Sequence, residues 1–324
     1  MTRLKSAGFG ILPWLVVGAI GYFFYKALSS NWSKLQAEMP SLAPNGWALL
    51  GVISFAAAVL VSGALWGKML GLLSGTDIKK SDAVRIHSAS WLLKYVPGQV
   101  ASYIYKLAWG HRRGISKKTV STSFIYENVL MVFAGLMLSI PILWLFGDKL
   151  GRGAAVLLPL LVVIPMLVVM IPRVFYWLLN SVFKKLGREL FKKSDFLGSK
   201  ELLKYQLGYL LPRLLNGVGF VFIVMSVYPV EPSQYVGLAA IYILGSIIGM
   251  LAIFVPSGIG VREAAVVALA SVYFPLEQAI VLALLARLYA TIADIGVAIV
   301  YLVLNKGKIK QLDSHEVKLD EDGE

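Results

Sequence analysis

The sequence lacks cysteine and is poor in charged side chains. Without a cysteine among its 324 residues, the chain has neither disulfides nor thiolate metal sites. Only 15% of the residues are charged, whereas about 25% is usual in a soluble domain. The three histidines (His87, His111 and His315) are too scattered along the chain to predict a metal cluster. These absences predict a protein without a metal or a cofactor.

Motifs of catalysis are also missing from the chain. It contains no phosphate-binding P-loop, no zinc-protease helix motif and no Ser-His-Asp arrangement worth proposing. The clustered acidic residues at 320–322 lie in a polar tail and are typical of a solvated run of charge. We therefore expect a protein that is not an enzyme.

Apolar residues are what the sequence has in abundance. They make up 58% of the chain, and the mean hydropathy is +0.73. They occur in long blocks, and about 20 apolar residues in a helix cross a hydrocarbon core of about 30 Å. The pattern predicts an all-α, polytopic membrane helical bundle with about eight membrane segments, one or two of them short or re-entrant. The predicted segments are residues 8–28, 46–65, 119–146, 154–171, 205–228, 235–255, 256–274 and 276–304.

Two further features refine this division. The membrane domain is predicted to cover residues 1–304, and the polar composition of residues 305–324 predicts a disordered cytoplasmic tail. At the end of the second segment, Gly63, Gly67 and Gly71 recur every four residues. Such a stripe of small residues predicts that a neighbouring helix packs closely there.

The positive charge of the chain predicts its orientation. The net charge is +13, and its lysines and arginines concentrate in two stretches, residues 68–118 and 173–204. Because cytoplasmic loops collect basic residues, both stretches and both termini are predicted to lie in the cytoplasm, at the cytoplasmic membrane. Anionic lipid, and not nucleic acid, is the expected partner of this charge. Within the second stretch, residues 174–190 predict an amphipathic helix on the membrane surface.

Two segments interrupt the helical pattern with proline and glycine. Tyr95-Val96-Pro97-Gly98 is the first break, and Pro256-Ser257-Gly258-Ile259-Gly260 lies in the second. Both are predicted to follow a helix that runs toward the cytoplasm. Paired breaks of this kind mark the substrate site in many transporters, because freed backbone groups are tolerated only inside protein or beside water. Ordinary loops are the alternative interpretation.

Four ionisable side chains are predicted to lie at membrane depth. Glu127 and Arg213 each lie about eight residues into a segment that runs outward, so they are predicted to reach similar depth and to pair. Arg287 and Asp294 are seven residues apart and share one helix face. Either these groups brace the bundle, or they line a polar cavity in which arginines grip the phosphate of a lipid head group.

The charged residues beside the two breaks are further candidates. Arg262 follows a glycine-rich turn at a helix start, where backbone N–H groups favour anions, so we expect it to bind phosphate. Glu263 is a candidate for the same head-group site, with stabilisation of the helix start as the alternative. Lys94 and Lys106 flank the first break, where they either meet anionic lipid or extend to the membrane interface.

The two breaks also carry a resemblance. Pro256-Ser257-Gly258-Ile259-Gly260-Val261-Arg262-Glu263 is similar to the PGGIGVRE signature of the lysylphosphatidylglycerol synthase transmembrane family. Lys94-Tyr95-Val96-Pro97-Gly98 matches the KYxPG element that this family carries upstream. The order and spacing of the two motifs extend the resemblance over nearly the whole membrane portion. Ser257 departs from the signature, which has glycine there.

The resemblance implies a membrane domain that handles lipids or lipid-linked glycans. Some members move aminoacylated phosphatidylglycerol between leaflets, and members that also synthesise it carry a soluble aminoacyl-transferase domain, which we do not expect here. We expect a translocase for a phospholipid or lipid-linked glycan in cell-envelope biosynthesis. A scaffold that holds envelope-synthesis enzymes and an intramembrane glycosyl or aminoacyl transferase are the alternatives. Substrate head group, energy source and oligomeric state stay open.

Overall fold

The structure is a computed structural model, and it describes residues 22, 25, 29, 45–95, 100–144, 152–169, 171–185, 190–252 and 255–321. Within these ranges every regular element is a helix, which confirms the prediction of an all-α bundle. The α-helices are α1 (Gly46–Ser74), α2 (Lys80–Leu92), α3 (Val100–Arg112), α4 (Lys117–Leu138), α5 (Arg152–Val169), α6 (Pro172–Lys185), α7 (Ser199–Met225), α8 (Tyr235–Leu251), α9 (Val261–Ala270) and α10 (Leu276–Glu321).

Several of these helices are long and apolar enough to cross a membrane. Among the described residues, five segments meet both conditions: α1, α4, α7, residues 232–251 with α8, and α10 as far as Lys306. The predicted segment 154–171 corresponds to α5, and the predicted surface helix corresponds to α6. Most of the predicted segment 8–28 lies outside the described residues. The protein is therefore a multi-pass membrane protein.

The basic stretch 68–118 differs from the long polar loop that its composition suggested. α1 continues to Ser74, and two helices of 13 residues each, α2 and α3, follow it. They pack on each other, and the hydroxyl groups of Ser90 and Ser102 lie 2.6 Å apart close to the break that joins them. Each helix is about 20 Å long, too short for a hydrocarbon core of about 30 Å. α2 and α3 therefore form a re-entrant hairpin, the first hairpin below.

A second hairpin is formed by α8 and α9. It contains the break at residues 252–260, and Gly249 and Gly245 of α8 lie directly against Arg262 and Val266 of α9. α9 has only 10 residues, so it is about 15 Å long and ends within the membrane domain.

α10 shows how the two hairpins are placed. Arg85, early in α2, donates to the side chain of Asn305, and Lys94, after α2, pairs with Asp294. α2 therefore runs antiparallel to α10. α9 also packs on α10, and a short turn makes the two helices antiparallel. α2 and α9 thus run in the same direction, but the first break follows the C-terminus of α2, whereas the second break precedes the N-terminus of α9. The two hairpins therefore enter from opposite ends of the bundle.

The two breaks meet inside the bundle. The 3-10 turn Leu93–Tyr95 of the first hairpin contacts the 3-10 turn Pro256–Gly258 of the second. The prediction that both breaks follow helices of the same direction is wrong, because the region before the first break is itself a hairpin arm. Pro97 and Gly98 lie outside the described residues.

The first hairpin packs against the glycine stripe of α1. A Cβ atom on Gly63 would lie 2.9 Å from the Cβ atom of His87, and Gly67 similarly faces Ala83. Both partners belong to α2, so the predicted close packing is confirmed. The small residues allow the backbone of α2 to approach α1 in an interior that offers no water for hydrogen bonding.

The tail differs from the predicted disorder. α10 continues through residues 305–321 as a helix. An established helix adds one hydrogen bond for each residue it extends by, whereas starting a helix is unfavourable. The tail follows a long membrane helix, so it needs no new nucleation.

The turn of the second hairpin needs left-handed backbone conformations. Ser257 has φ 54°, and Gly258 and Gly260 have φ 61° and 82°. A left-handed conformation costs a residue with a side chain about 1–2 kcal/mol. Ser257 accepts this strain at the position where the related signature has glycine, and the turn is nevertheless formed.

Substituting Gly258 is expected to damage this turn more than backbone strain alone can explain. In Gly258→Ala, the new Cβ atom would lie 2.5 Å from the carbonyl oxygen of Gly249. Gly75 is a matched control, because its φ is 66° and nothing lies within 4 Å of its Cβ position. Gly75→Ala should lower the unfolding free energy by about 1 kcal/mol, and Gly258→Ala by about 1–3 kcal/mol more. Thermal unfolding in detergent measures both, and equal losses would contradict the close packing.

Candidate functional site

A cavity of about 200 Å³ lies where the tips of the two hairpins meet α1, α4, α7 and α10. Its wall carries an unusual number of charged groups for the interior of a membrane protein. Four basic side chains and two carboxylates line it: Lys94, Lys106, Arg213, Arg262, Glu127 and Asp294. Ionisable residues at membrane depth are costly to bury and mark functional sites by default. The cavity is therefore the candidate functional site.

The tip of the first hairpin is held to α10 by Asp294. The ammonium group of Lys94 lies 2.7 Å from one carboxylate oxygen of Asp294, and the indole N–H of Trp91 donates to the other at 2.7 Å. The same ammonium group lies 4.1 Å from the centre of the Trp91 ring. Asp294 is 7% exposed, so these partners compensate the burial of its charge.

The tip of the second hairpin is organised by Glu263. One carboxylate oxygen accepts the backbone N–H of Gly260 and thereby caps α9. The other accepts two N–H groups of Arg262, at 3.0 and 3.2 Å, and lies 3.7 Å from the guanidinium group of Arg287. The helix-start role of Glu263 is thus confirmed. Glu263 also fixes Arg262 at the cavity wall, 5.7 Å from the centre of the Tyr242 ring.

Arg287 and Asp294 connect the two tips. They share one face of α10, as predicted, and are separated by two helical turns, or about 10 Å. Each of them binds a different hairpin, since Arg287 pairs with Glu263 and Asp294 pairs with Lys94. α10 therefore binds the tips of both hairpins in the middle of the bundle.

Glu127 does not pair with Arg213, contrary to the prediction. Its partners are Lys106, at 2.5 Å, and the Nδ1 atom of His87, at 3.0 Å. Glu127 and Arg213 do reach the same cavity, so the predicted similarity of depth is correct. The prediction used only the depth along each helix, which does not determine the side of the helix on which a residue lies. The cationic partner of Glu127 is instead Lys106 of α3.

Among the four basic residues of the cavity wall, Arg213 has the weakest partners to compensate the burial of its charge. Its Nε–H donates to the carbonyl oxygen of Met131 at 2.9 Å, and a second N–H contacts the sulfur of Met250 at 3.6 Å. A thioether is a weak acceptor. No carboxylate lies within ion-pair distance of Arg213 among the described residues, although Arg213 is 5% exposed. Its charge is thus available to an anion in the cavity.

The side chains, and not the helix dipoles, give this site its positive potential. α3 and α9 begin at the tips, but α2 and α8 end there, so the positive and negative ends of the helix dipoles offset each other. The four basic groups of the wall already exceed its two carboxylates. An anion with several oxygen acceptors, such as a phosphate, matches this arrangement of donors. The described residues contain no group of His, Asp and Glu that would hold a metal ion.

The predicted site residues divide into three groups. Lys94, Glu127, Arg213, Gly258, Arg262 and Asp294 line the cavity. Glu263, Gly260 and Arg287 form or hold the second tip. Pro256 begins the 3-10 turn there, whereas Pro97 and Gly98 fall outside the described residues.

Sequence reasoning missed His87, Trp91 and the role of Lys106. Lys106 was expected at the membrane surface, but it is 1% exposed and lies in the cavity wall. A signal was present: Lys106 is the single charged residue in the stretch 100–110, which is otherwise rich in apolar and aromatic residues. A lone charge in such a stretch is typical of membrane depth. His87 lies in a polar helix whose sequence carries no comparable signal.

Comparison with known proteins agrees with this structure. The family described as the lysylphosphatidylglycerol synthase TM region matches residues 7–298. No curated protein matches the chain. The family match spans both hairpins, the cavity and the first half of α10, and it associates the chain with membrane proteins of lipid and cell-envelope biosynthesis. The chain belongs to the lysylphosphatidylglycerol synthase TM region family.

Proposed function

We propose that the protein is a translocase that moves a phosphate-bearing lipid between the two leaflets, with the head group in the cavity. The observation that carries this proposal is the excess of basic groups over carboxylates in the cavity wall, together with the absence of a carboxylate partner for Arg213 among the described residues. An empty site of this charge is unfavourable in a low-dielectric interior, and a phosphate would satisfy it.

The depth of the cavity supports movement across the membrane. Asp294 lies 11 residues before Asn305, or about 17 Å along α10, and Glu127 lies 10 residues into α4, or about 15 Å. Both values are about half of a 30 Å hydrocarbon core. The hairpins enter from opposite ends, so each leaflet is separated from the cavity by one hairpin. A small movement of either hairpin would open the cavity to one leaflet, as in alternating access.

The size of the cavity limits the substrate. Its volume of about 200 Å³ is smaller than the 300–1,000 Å³ of a site for a drug-sized ligand. It suits one phosphate with a small substituent, while the acyl chains remain in the bilayer. The cavity therefore favours a phospholipid over a large lipid-linked glycan, and no bond-making step is assigned to its residues.

Replacing the arginines of the wall is expected to slow lipid movement. Each charge-assisted hydrogen bond to phosphate contributes about 1.5–3 kcal/mol, so Arg213→Ala and Arg262→Ala should each lower the rate at least about tenfold. The rate is measured in vesicles that contain the purified protein and phosphatidylglycerol with a fluorescent acyl chain. A membrane-impermeant reductant then bleaches only the label in the outer leaflet.

Three controls make this test specific. Lys204→Ala removes a basic group that is 72% exposed and should leave the rate unchanged. Arg213→Lys keeps the charge but loses the planar fork, and should retain part of the rate. A labelled ceramide, which has no phosphate, should not be moved faster than in protein-free vesicles. Correctly folded arginine variants that match Lys204→Ala would contradict the proposal.

A scaffold function is the second candidate. Exposed basic residues follow α1 and α5 in the chain, among them Lys79, Lys80, Lys117, Lys192 and Lys193. We assign these segments to the cytoplasmic side of the cytoplasmic membrane, because basic loops remain there. Enzymes of envelope synthesis would be the partners of such a surface. Crosslinking that recovers such enzymes, together with arginine variants that move lipid normally, would favour this candidate.

A further inference from the structure

His87, Lys106 and Glu127 form a buried cluster in the cavity wall, and lipid binding leaves His87 without a role. The three residues belong to α2, α3 and α4, and they are 5%, 1% and 6% exposed. Glu127 accepts from Lys106 at 2.5 Å and lies 3.0 Å from the Nδ1 atom of His87. The Lys106 ammonium group lies 3.3 Å from that same Nδ1 atom.

The hydrogen bonds of His87 leave one ring nitrogen open. A lysine ammonium group only donates, so Nδ1 cannot accept from Lys106 while it donates to Glu127. The shorter contact, to a carboxylate, assigns the proton to Nδ1. The Nε2 atom is buried and has no hydrogen-bond partner among the described residues. In the neutral ring this atom carries a lone pair, which is a vacant position for a proton.

We propose that the cluster is a proton-binding site, and that a proton bound at His87 crosses the membrane together with each anionic lipid. This inference rests on the proposed lipid translocation. With a neutral His87, the charges of Lys106 and Glu127 cancel. A proton on Nε2 adds one positive charge to the wall, which matches the single negative charge of a phosphodiester. Proton and lipid then favour each other's binding, and the pair crosses without net charge.

The groups around His87 are compatible with this role. α3 contributes Lys106 and α4 contributes Glu127, as described above. α1 contributes the Trp66 ring, whose centre lies 6.5 Å from that of His87 and 4.3 Å from the Lys106 ammonium group. From α7 comes Tyr209, whose buried hydroxyl has no hydrogen-bond partner among the described residues. On α10, Asp294 lines the same cavity as His87 and pairs with Lys94. His87 thus lies between opposite charges that already pair with each other.

A pH gradient across vesicles tests the coupling. The full chain is reconstituted with fluorescent phosphatidylglycerol and an entrapped pH indicator, and potassium with valinomycin holds the membrane potential at zero. With one proton for each lipid, a gradient of one pH unit should enrich the lipid about tenfold in the leaflet on the alkaline side, since one pH unit is a tenfold ratio of protons. Proton flux should appear only when the anionic lipid is present.

The variants assign the coupling to His87. His87→Gln keeps a donor for Glu127 but removes the titratable ring, and it should abolish both the enrichment and the lipid-dependent proton flux. His111→Gln replaces an exposed histidine and should behave as the wild type. Wild-type protein that moves lipid without enrichment or proton flux would overturn the coupling and leave translocation intact. Wild-type protein that moves no lipid would overturn both. Coupling that persists in His87→Gln would overturn the assignment of the proton to His87. If His87→Gln fails to fold, the wild-type measurements still test the coupling between proton and lipid.

Discussion

Glu127→Gln is expected to destabilise the protein by about 3–5 kcal/mol, because it leaves Lys106 charged and buried without its carboxylate. The side chains of Lys106 and Glu127 are only 2% and 8% exposed, so water cannot compensate the lost partner. Lys106→Met should be similarly harmful, since it leaves Glu127 with His87 as its remaining partner. The unfolding free energy in detergent, from thermal or denaturant titration, measures both effects.

The double variant Lys106→Met/Glu127→Gln shows whether the effect arises from the pair. It contains neither charge, and its glutamine still accepts a hydrogen bond from His87, so most of the lost stability should return. Glu201 and Lys204 provide a matched control: they form an ion pair at 3.7 Å, but their side chains are 35% and 72% exposed. Glu201→Gln should change the unfolding free energy by less than about 1 kcal/mol. Additive losses in the buried pair would contradict the assigned contact.

Ser257→Cys is expected to resist a bulky, membrane-impermeant maleimide from both sides of the membrane. The residue lies at the tip of the second hairpin, in contact with the cavity at mid-depth. The chain has no natural cysteine, so a single introduced thiol is the only reactive group. If α8 instead crossed the whole membrane, this residue would lie at the surface and react at the rate of an exposed turn.

Two exposed turns calibrate this measurement. Thr76 lies between α1 and α2, and Ser271 lies between α9 and α10. Thr76→Cys should react only from the cytoplasmic side, because it adjoins the basic stretch, and Ser271→Cys should react only from the opposite side. We expect Ser257→Cys to react at least tenfold more slowly than either. Labelling of Ser257→Cys at the rate of Thr76→Cys would contradict the re-entrant hairpin.

Local sequence patterns were sufficient for most of the fold. The hydropathy blocks located α1, α4, α5, α7, α8 and α10, because each span must be apolar over a length set by the bilayer. The break at Pro256–Gly258 was located because proline lacks a backbone donor and glycine permits left-handed conformations. The hairpin α2–α3 was missed because its many polar residues pack against protein and not against lipid, which hydropathy cannot detect.

The sequence by itself determined the class of helical membrane protein, the places of the two breaks, the shared helix face of Arg287 and Asp294, and the family to which the chain belongs. These properties depend on composition and spacing along a single helix. Only the tertiary structure decided that Glu127 pairs with Lys106, that Arg213 donates to a backbone carbonyl and has no carboxylate partner among the described residues, and that the two tips meet between Arg287 and Asp294. A partner on another helix depends on the rotation and crossing of both helices, and these follow from packing over the whole bundle.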